Sequence, residues 1–322
     1  MFLIITVFIA SCILLYFSGE MVVSNLVRLS KYLGVKEFII AFFVMAFASS
    51  LPNIILGIKS AIDGVPELSL GDIFGNNLVT LTLALSLGVL ISKNKEIPIE
   101  SKTIKSTLKF AVVSTLLPLL LLIDGTLSRV DGVLMILFFV FYVFWIFSKK
   151  ERFTKIYTDE TYTSDQYVKE FGNTLKSLVF IILGIGLIFI AAQGIVFSAK
   201  FFAIASGISI IVIGLLITGL GNALPEIYFS VTSAKKDEKF VILGSLMGSV
   251  IFTTSLVLGI ICIIEPIELL STKIFFINRI FILITILLFY IFSRTSNKIV
   301  KREAYVLFLL YFLFILSVFI FR

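Results

Sequence analysis

Ten long apolar runs, separated by short polar connections, dominate this sequence of 322 residues. The runs have the approximate bounds 2–27, 37–62, 68–92, 107–123, 130–148, 177–199, 205–233, 240–264, 274–293 and 304–321. A helix of about 20 apolar residues is long enough to cross the hydrocarbon core of a bilayer. Hydrophobic residues make up 59% of the chain and charged residues 15%, whereas a soluble domain has about 45–50% and about 25%. We therefore predict an all-α integral membrane protein with about ten transmembrane helices.

The residue types that are rare or absent exclude several kinds of chemistry. The chain contains no histidine, which excludes a histidine-bound metal, a Ser–His–Asp triad and a histidine proton relay. Cys12 and Cys262 both lie inside apolar runs, which argues against a disulfide framework or a thiolate metal cluster. The sequence also offers no nucleophile–base pair and no phosphate-binding loop. We therefore predict that the protein is not an enzyme and holds no resident cofactor.

Basic residues are distributed unevenly between the connections. With the amino terminus outside, most of the 27 Lys and Arg residues fall in the inner connections. The basic residues left on the outer side are Lys59, Arg129, Lys200, Lys273, Arg279 and Arg322. Cytoplasmic loops of membrane proteins carry the excess of basic residues, so we predict a multi-pass protein of the cell membrane with both termini extracellular. The same distribution explains the net charge of +7 without a nucleic-acid partner.

Two segments of the chain repeat at a fixed, ungapped offset of 173 positions. Residues 34–61 align with residues 207–234, so that Pro52 meets Pro225. The offset continues into the next span, where the segment LGDIFGNN meets the segment LGSLMGSV. Two separate segments that share one offset indicate an internal duplication.

The duplication divides the chain into residues 1–148 and residues 177–322, with the repeated motifs at 34–77 and 207–254. Each half has five predicted spans, and because five is odd the second half enters the membrane from the opposite face. Inverted repeats of this kind occur in secondary transporters, whose substrate site lies near the bilayer midplane. We predict that residues 149–176, which carry both signs of charge, form a solvated cytoplasmic linker. A regulatory ion site on the acidic residues of this linker is the alternative.

Pro52 and Pro225 lie in the middle of apolar spans. A proline inside a helix removes one backbone hydrogen bond, so Pro52 frees the carbonyl of Ala48 and Pro225 frees that of Gly221. Free carbonyls at membrane depth are tolerated only where protein, water or an ion satisfies them, and broken helices often bind the cations of transporters. We therefore predict proline-broken helices at the centre of the protein.

Polar side chains one helical turn apart surround both prolines and recur in the following spans. The pairs are Ser49 and Asn53, Asn222 and Glu226, Asn76 and Thr80, and Ser249 and Thr253. Residues four positions apart share a helix face, and their oxygen atoms are suitable ligands for hard cations such as Na⁺ and Ca²⁺. We predict a cation site formed by these eight residues together with Asp72, Ala46 and Gly219. Helix packing by the same small polar residues is the alternative.

Glu226 is the strongest single indication of a functional site. A carboxylate in the middle of a membrane span is energetically unfavourable and by default points to function. A neutral, protonated glutamate with a structural role is the alternative. Asp72 lies one turn before Asn76 and is predicted either to add a second negative charge or to begin a helix near the outer surface.

The repeated motifs resemble those of the cation/calcium antiporter superfamily, and above all those of the sodium/calcium exchangers. The segments GNALPE at 221–226 and GDIFGNN at 71–77 are similar to the repeated motifs of that family, and LGSLMGSV at 243–250 is similar in part. The stretch DGTLSRVDG at 124–132 resembles the prokaryotic members. The resemblance covers both halves and implies a cation antiporter of Na⁺ and Ca²⁺. It also implies alternating access, with spans 1 and 6 sliding against a core of the other spans.

Carried over by position, the resemblance implies that Glu226 and Ser249 are ligands, whereas Asn53 stands where the family has a second ligand glutamate. A single carboxylate offers one negative charge to a divalent ion, and uncompensated charge is unfavourable in a low-dielectric site. An antiporter of a monovalent cation or of protons is therefore the alternative function. A membrane protein that kept the fold without transport is the alternative of another class. The remaining positions that correspond to ligands of family members are Ser49, Asn222, Thr80 and Thr253.

Overall fold

The computed structural model describes residues 2–32, 45–99, 102–148, 164–207, 209–237, 239–269 and 272–320. Helices account for most of these residues. The helices of the first half are α1 (Phe2–Tyr32), α2 (Met45–Ile62), α3 (Pro66–Val79), α4 (Leu85–Ile91), α5 (Lys102–Leu121) and α6 (Arg129–Ser148). Those of the second half are α7 (Ser164–Ser206), α8 (Ile210–Ile213), α9 (Gly219–Asn222), α10 (Leu224–Lys235), α11 (Lys239–Ile251), α12 (Leu258–Ile264), α13 (Thr272–Arg294) and α14 (Lys301–Ile320).

Within the described residues, eight helical segments are long and apolar enough to cross a membrane. They are Phe2–Leu26, Pro66–Ile91, Thr103–Asp124, Arg129–Ser148, Lys176–Ala205, Ile210–Lys235, Ile242–Ile264 and Phe275–Arg294. Helices α2 and α14 lie where the sequence predicts the second and tenth spans. The predicted class, a helical membrane protein, is confirmed, whereas a total of ten spans stays a prediction.

The offset of the sequence repeat reappears in the local geometry of the helices. Segments of wider π-helical turns join α3 to α4 at Thr80–Ala84 and α11 to α12 at Phe252–Val257. When one half is shifted by the repeat offset, these two segments coincide to within one residue. A third π-helical segment, Gly214–Thr218, joins α8 to α9. Single π turns inside α-helices are uncommon in proteins, and those that occur often lie at functional sites.

The same equivalence holds for contacts between helices. Gly88 packs against the hydroxyl of Ser230, and Gly57 packs against the side chain of Ile261. The repeat offset relates Gly88 to Ile261 and Gly57 to Ser230, so each contact is the exchanged copy of the other. The two halves are therefore related by pseudo-twofold symmetry in their packing as well as in their sequence.

Glycine is required where α3 crosses the segment from α8 to α9. A Cβ atom added to Gly71 would overlap the carbonyl of Ile211, and one added to Gly75 would overlap the carbonyl of Leu215. From the other side, a Cβ atom on Gly219 would come within 2.8 Å of the backbone nitrogen of Asn76. The two helices thus touch backbone to backbone, which places their polar side chains next to each other.

Two short antiparallel strand pairs lie in the connections between helices. Strand β1 (Glu96–Pro98) pairs with β4 (Lys298–Val300), and β2 (Thr126–Leu127) pairs with β3 (Ile267–Glu268). Beside the first pair, Lys298 donates a hydrogen bond to Glu96 at 2.8 Å and lowers the pKa of that carboxyl. Each sheet joins one half of the chain to the other.

Helices α1 and α7 lie side by side along much of their length. Gly194 of α7 meets the side chain of Ser11, and Gly184 meets that of Val22, so the two helices run antiparallel. Helix α7 begins at Ser164, which makes the last part of the predicted linker helical and continuous with the sixth span. The rest of the predicted linker, residues 149–163, lies outside the described residues.

Candidate cation site

The structure brings the predicted site residues together between α2, α3, α9, α10 and α11. Each of these side chains is buried: Ser49, Asn53, Asp72, Asn76, Thr80, Asn222, Glu226, Ser249 and Thr253. Ala46 and Gly219 are buried beside them. The site residues between 46 and 80 come from α2, α3 and the π-helical extension of α3 in the first half. Those between 219 and 253 come from the equivalent helices of the second half.

Glu226 lies in the first turn of α10 and is 1% exposed. The hydroxyl of Ser249, on α11, donates a hydrogen bond to Glu226 Oε1 at 2.9 Å. The Ser49 side chain of α2 also interacts with this carboxyl. The second oxygen, Oε2, is buried and has no hydrogen-bond partner. Glu226 thus presents a free carboxylate oxygen inside the protein.

Asp72 is the second buried carboxylate of the site and is 1% exposed. Its oxygens Oδ1 and Oδ2 lie 2.8 and 2.9 Å from the side-chain nitrogen of Asn222, which also donates to Asn53 Oδ1 at 2.8 Å. Asp72 and Glu226 are close enough to interact electrostatically. The structure therefore places Asp72 inside the polar cluster and not at the outer surface.

Two further residues of α3 and its π-helical extension face the interior without hydrogen-bond partners. The side-chain oxygen and nitrogen of Asn76 and the hydroxyl of Thr80 are buried and have no hydrogen-bond partner. Native proteins seldom leave buried polar atoms unsatisfied, so such groups call for a physical explanation such as an ion or water. Thr253 differs, because its hydroxyl donates to Asn77 Oδ1 and to the carbonyl of Ser249, both at 2.9 Å.

The two proline positions have different backbone geometry. The predicted break is absent at Pro52, because helix α2 continues through it, whereas in the second half α9 ends at Asn222 and α10 begins at Leu224, with Pro225 in its first turn. The difference has a local reason, since a proline at the start of a helix lacks only an amide that would be unpaired anyway.

The two predicted backbone ligands already accept hydrogen bonds. The carbonyl of Ala46 accepts from the hydroxyl of Ser50 at 2.7 Å, and that of Gly219 accepts from the amide of Ala223 at 3.1 Å. A carbonyl oxygen has two lone pairs, so that of Gly219 can accept one further interaction, whereas that of Ala46 also accepts from the hydroxyl of Ser49 at 3.3 Å and has both lone pairs engaged.

Three polar residues at the site were not among the predicted ligands. Asn77 bonds to Thr253 across the halves, Thr218 interacts with Asp72, and Ser245 lines the cavity beside Glu226. The sequence signal for Ser245 was available, because the repeat offset pairs it with Asp72. Asn77 was missed because the offset pairs it with an apolar residue, Val250.

A cavity of about 470 Å³ connects Glu226 to the surface. Its inner end is lined by Glu226 and Ser49, and its outer end by the exposed side chains of Arg28 and Lys236. Glu20 of α1 lies along the wall between them. Glu226 therefore lies at the inner end of a cavity that opens at the surface.

Comparisons with known proteins connect this arrangement to a family. The family model described as sodium/calcium exchanger protein matches residues 3–148 and 176–320. The sodium/calcium exchanger MaX1 of Methanosarcina acetivorans is 25% identical over 323 residues, which covers 90% of this chain and 91% of MaX1. The inner membrane protein YrbG of Escherichia coli is 26% identical over 263 residues, covering 81% of this chain and 80% of YrbG.

A solved structure shares the fold over nearly the whole length. The sodium-calcium exchanger NCX_Mj superimposes with a TM-score of 0.67 and 25% identity, covering 98% of each chain. The resemblance inferred from the repeated motifs is thus confirmed independently by sequence and by structure. Because the family model matches nearly all of both halves, the chain belongs to the sodium/calcium exchanger protein family of cation antiporters.

Proposed function

We propose that this protein is a secondary active antiporter that exchanges Na⁺ for Ca²⁺ by alternating access. The ions bind at the midplane between the two inverted halves. The ligands are the side-chain oxygens of Glu226, Asp72, Asn53, Ser49, Asn222, Asn76, Ser249, Thr80 and Thr253, with the carbonyls of Ala46 and Gly219. No resident cofactor takes part, because the cations themselves are the transported substrates.

The free oxygen of Glu226 is the observation that carries the proposal. A buried carboxylate with an unpartnered oxygen is unfavourable unless a positive charge or a proton compensates it. Glu226 lines the inner end of a cavity that reaches the surface, and its oxygen Oε2 is buried beside that cavity without a hydrogen-bond partner. A cation that enters the cavity therefore meets a negatively charged ligand at its inner end.

Asp72 supplies a second negative charge to a site in which Asn53 stands where a second carboxylate is expected. A site with Glu226 alone offers one negative charge, but Asp72 lies in the same buried cluster and adds a second. Two carboxylates match the charge of one Ca²⁺, and the neutral oxygens around them supply the remainder of the ~6–8 ligands that Ca²⁺ takes. The described residues contain no group of three acidic, Cys or His side chains, so most ligands of this site are neutral.

Alternating access is supported by the inverted halves and by a cavity that leads from Glu226 to the surface. In an inverted-repeat transporter, the two halves exchange conformations and the site opens to the other side. The antiparallel pair of α1 and α7 is the element proposed to slide, since α1 lines the cavity through Tyr16, Glu20 and Arg28. The distribution of basic residues supports extracellular termini, which makes the Arg28 end of the cavity cytoplasmic.

An antiporter of a monovalent cation or of protons is the second candidate. The observation that favours it is the hydrogen-bonded amide of Asn53, in the position where the family resemblance implies a carboxylate. Fewer charges at this position favour ions of lower charge. The two candidates predict different ion fluxes in the same assay.

The decisive experiment measures radioactive Ca²⁺ uptake into proteoliposomes loaded with Na⁺ and diluted into Na⁺-free medium. Sodium/calcium exchange predicts uptake that disappears when Na⁺ is equal on both sides. Absence of Na⁺-driven Ca²⁺ uptake, together with exchange of Na⁺, Li⁺, K⁺ or protons, would instead establish the second candidate.

Glu226→Gln tests the site in the same assay. The variant keeps the shape of the side chain and removes its charge, so uptake is expected to fall to the level of empty liposomes. Glu268→Gln is the matched control, because Glu268 is exposed on β3 and lies outside the site. If wild-type protein and both variants show no flux of any cation, the protein is a member of the fold without transport.

A further inference from the structure

The side-chain nitrogen of Asn222 lies at a point where three oxygen atoms converge. Asn53 Oδ1 and Asp72 Oδ1 are each 2.8 Å from this nitrogen, and Asp72 Oδ2 is 2.9 Å away. The oxygens come from α2 and α3, whereas the nitrogen comes from α9. All three side chains are nearly inaccessible, with exposed fractions of 1% for Asn53 and Asp72 and 3% for Asn222.

The arrangement has more acceptors than protons. A primary amide carries two N–H protons and a carboxylate accepts through both oxygens, so two protons are shared among three acceptors. The orientation of the amide follows from the same contacts, because the opposite orientation would place the Asn222 oxygen against three acceptors. A position surrounded by three oxygens, two of which share the negative charge of one carboxylate, is one that a small cation also fits, with oxygens at about 2.3–2.6 Å.

We propose that the Asn222 amide competes with the transported cation for the oxygens of Asp72 and Asn53. The inference rests on the proposed function and adds a role for one residue of the same site. The N–H groups and the cation cannot bind these oxygens at the same time, so cation binding displaces the amide. Asn222 thus lowers the affinity of the site and keeps the Asp72 carboxylate hydrogen-bonded whenever the cation has left.

The displaced amide has a second function in the cation complex. Asn222 Oδ1 is buried and has no hydrogen-bond partner. Rotation of the amide by about 180° exchanges its nitrogen and oxygen, which turns a competing donor into a cation ligand. One side chain therefore alternates between a donor to Asp72 and a ligand of the ion.

The other half of the molecule lacks this device. The repeat offset pairs Asn222 with Ser49, whose hydroxyl has a single proton. Glu226 consequently keeps one unpartnered oxygen, whereas both oxygens of Asp72 are occupied. The inference predicts different behaviour for the two carboxylates, and this difference can be tested by mutation.

Asn222→Ser removes the competing N–H groups and keeps one oxygen as a ligand. Asn76→Ser is the matched control, since it makes the same change on an amide whose atoms have no hydrogen-bond partner in the structure. The dissociation constants for Na⁺ and Ca²⁺ are measured by isothermal titration calorimetry on the purified full-length protein. The titrations are run at alkaline pH, so that a proton does not replace the amide on Asp72.

Competition predicts that Asn222→Ser binds cations about tenfold more tightly, because hydrogen bonds to a charged group no longer have to be broken. The melting temperature without Na⁺ or Ca²⁺ is expected to fall, while that at saturating cation stays close to the wild-type value. Asn76→Ser is expected to bind more weakly and to leave the melting temperature without these cations unchanged. If Asn222→Ser does not fold, Asn222→Thr is measured in its place.

Weaker binding by Asn222→Ser, by a factor similar to that of Asn76→Ser, would overturn the inference and identify Asn222 as a simple ligand. The proposed function fails separately, if wild-type protein binds cations but does not exchange Na⁺ for Ca²⁺. Wild-type protein that binds no cation overturns both.

Discussion

The two halves of the molecule share a backbone plan but place their carboxylates at different positions. In the second half the carboxylate is Glu226, on α10, whereas the repeat offset puts Asn53 at that position in the first half. In the first half the carboxylate is Asp72, on α3, and the offset puts Ser245 there in the second half. Each half thus contributes one buried acid to the site. A comparison of equivalent positions alone does not reveal this, because the two acids lie at different positions of the repeat.

The hydrogen bonds differ between the halves in the same way. The bond from Ser249 to Glu226 has as its counterpart the pair Asn76 and Asn53, where Asn76 has no hydrogen-bond partner. The bond from Thr253 to Asn77 has as its counterpart Thr80 and Val250, and the Thr80 hydroxyl is unpartnered. At these two pairs of positions the second-half hydroxyls are hydrogen-bonded, whereas the first-half groups Asn76 and Thr80 are unpartnered.

The largest effect is expected when Glu226 is made identical to its counterpart. Glu226→Asn removes a buried charge that the cation compensates, which is expected to weaken cation binding on the order of 100-fold or more. Cation-dependent shifts of the melting temperature measure this loss. The double variant Asn53→Glu with Glu226→Asn moves the carboxylate across the pseudo-twofold axis, and it is expected to recover a substantial part of the affinity. No recovery would show that the two positions are not functionally equivalent.

The next effect concerns the second carboxylate. Asp72→Asn is expected to weaken Ca²⁺ binding on the order of 10-fold to 100-fold and Na⁺ binding less, because the interaction energy scales with the charge of the ion. Calorimetric titrations with both ions measure the ratio. Ser245→Ala, at the counterpart position, is the control and is expected to change both affinities by the same small factor. Equal losses for Na⁺ and Ca²⁺ in Asp72→Asn would mean that Asp72 has a structural role.

The sequence predicts the spans and the pairing of the halves because these depend on local properties. Apolar runs predict helices of membrane length, and one offset predicts which helices are equivalent. Spacing by four residues predicts Asn222 and Glu226 on one helix face, and this is wrong in detail, because α9 ends at Asn222 and Glu226 lies on α10. The contact of Asn222 with Asp72 could not be predicted in this way, because it depends on the backbone approach of α3 to α9 at Gly75 and Gly219.

Other features depend on packing between helices and were not predicted from the sequence. The π-helical turns at Thr80–Ala84 and Phe252–Val257 carry no recognisable local signal, since their residues are ordinary for a membrane helix. The helical start of α7 at Ser164 was also missed, because the charged residues there have no apolar period. The distinction between Pro52 and Pro225 arises from where each helix begins, which neither motif specifies.

A smaller effect is expected at the exchanged pair of glycine contacts. Gly88→Ala would place a Cβ atom against Ser230, whose hydroxyl is fixed by a hydrogen bond to the carbonyl of Ala84 at 2.7 Å. Gly57→Ala would meet the flexible side chain of Ile261. We expect Gly88→Ala to lower the free energy of unfolding by about 1–3 kcal/mol and Gly57→Ala to lower it less. Denaturation in mixed detergent micelles measures both losses. A larger loss for Gly57→Ala would contradict the expectation that the fixed hydroxyl of Ser230 yields less than the flexible side chain of Ile261.

The smallest effect is expected at an ion cluster whose residues differ between the two halves. In the turn between α2 and α3, Asp63 pairs with Lys59, and its carbonyl accepts a hydrogen bond from Lys200 of α7 at 2.7 Å. The repeat offset replaces Asp63 by Lys236 and Lys59 by Thr232, and the acid of the equivalent turn is Asp237, which pairs with Lys239 at 3.3 Å.

Lys200→Met removes the charge that links α7 to this turn and keeps most of the apolar side chain. The cluster is partly exposed, with 37% of the Lys200 side chain accessible, so solvent screens it. The variant is therefore expected to lower the free energy of unfolding by no more than about 1 kcal/mol. The difference from wild type should shrink further at high salt, because the Debye length falls to about 3 Å at 1 M ionic strength. Lys235→Met, at the exposed end of α10, is the matched control and is expected to be neutral at every salt concentration. A loss in Lys200→Met that does not change with salt would mean that the link to α7 depends on packing and not on charge.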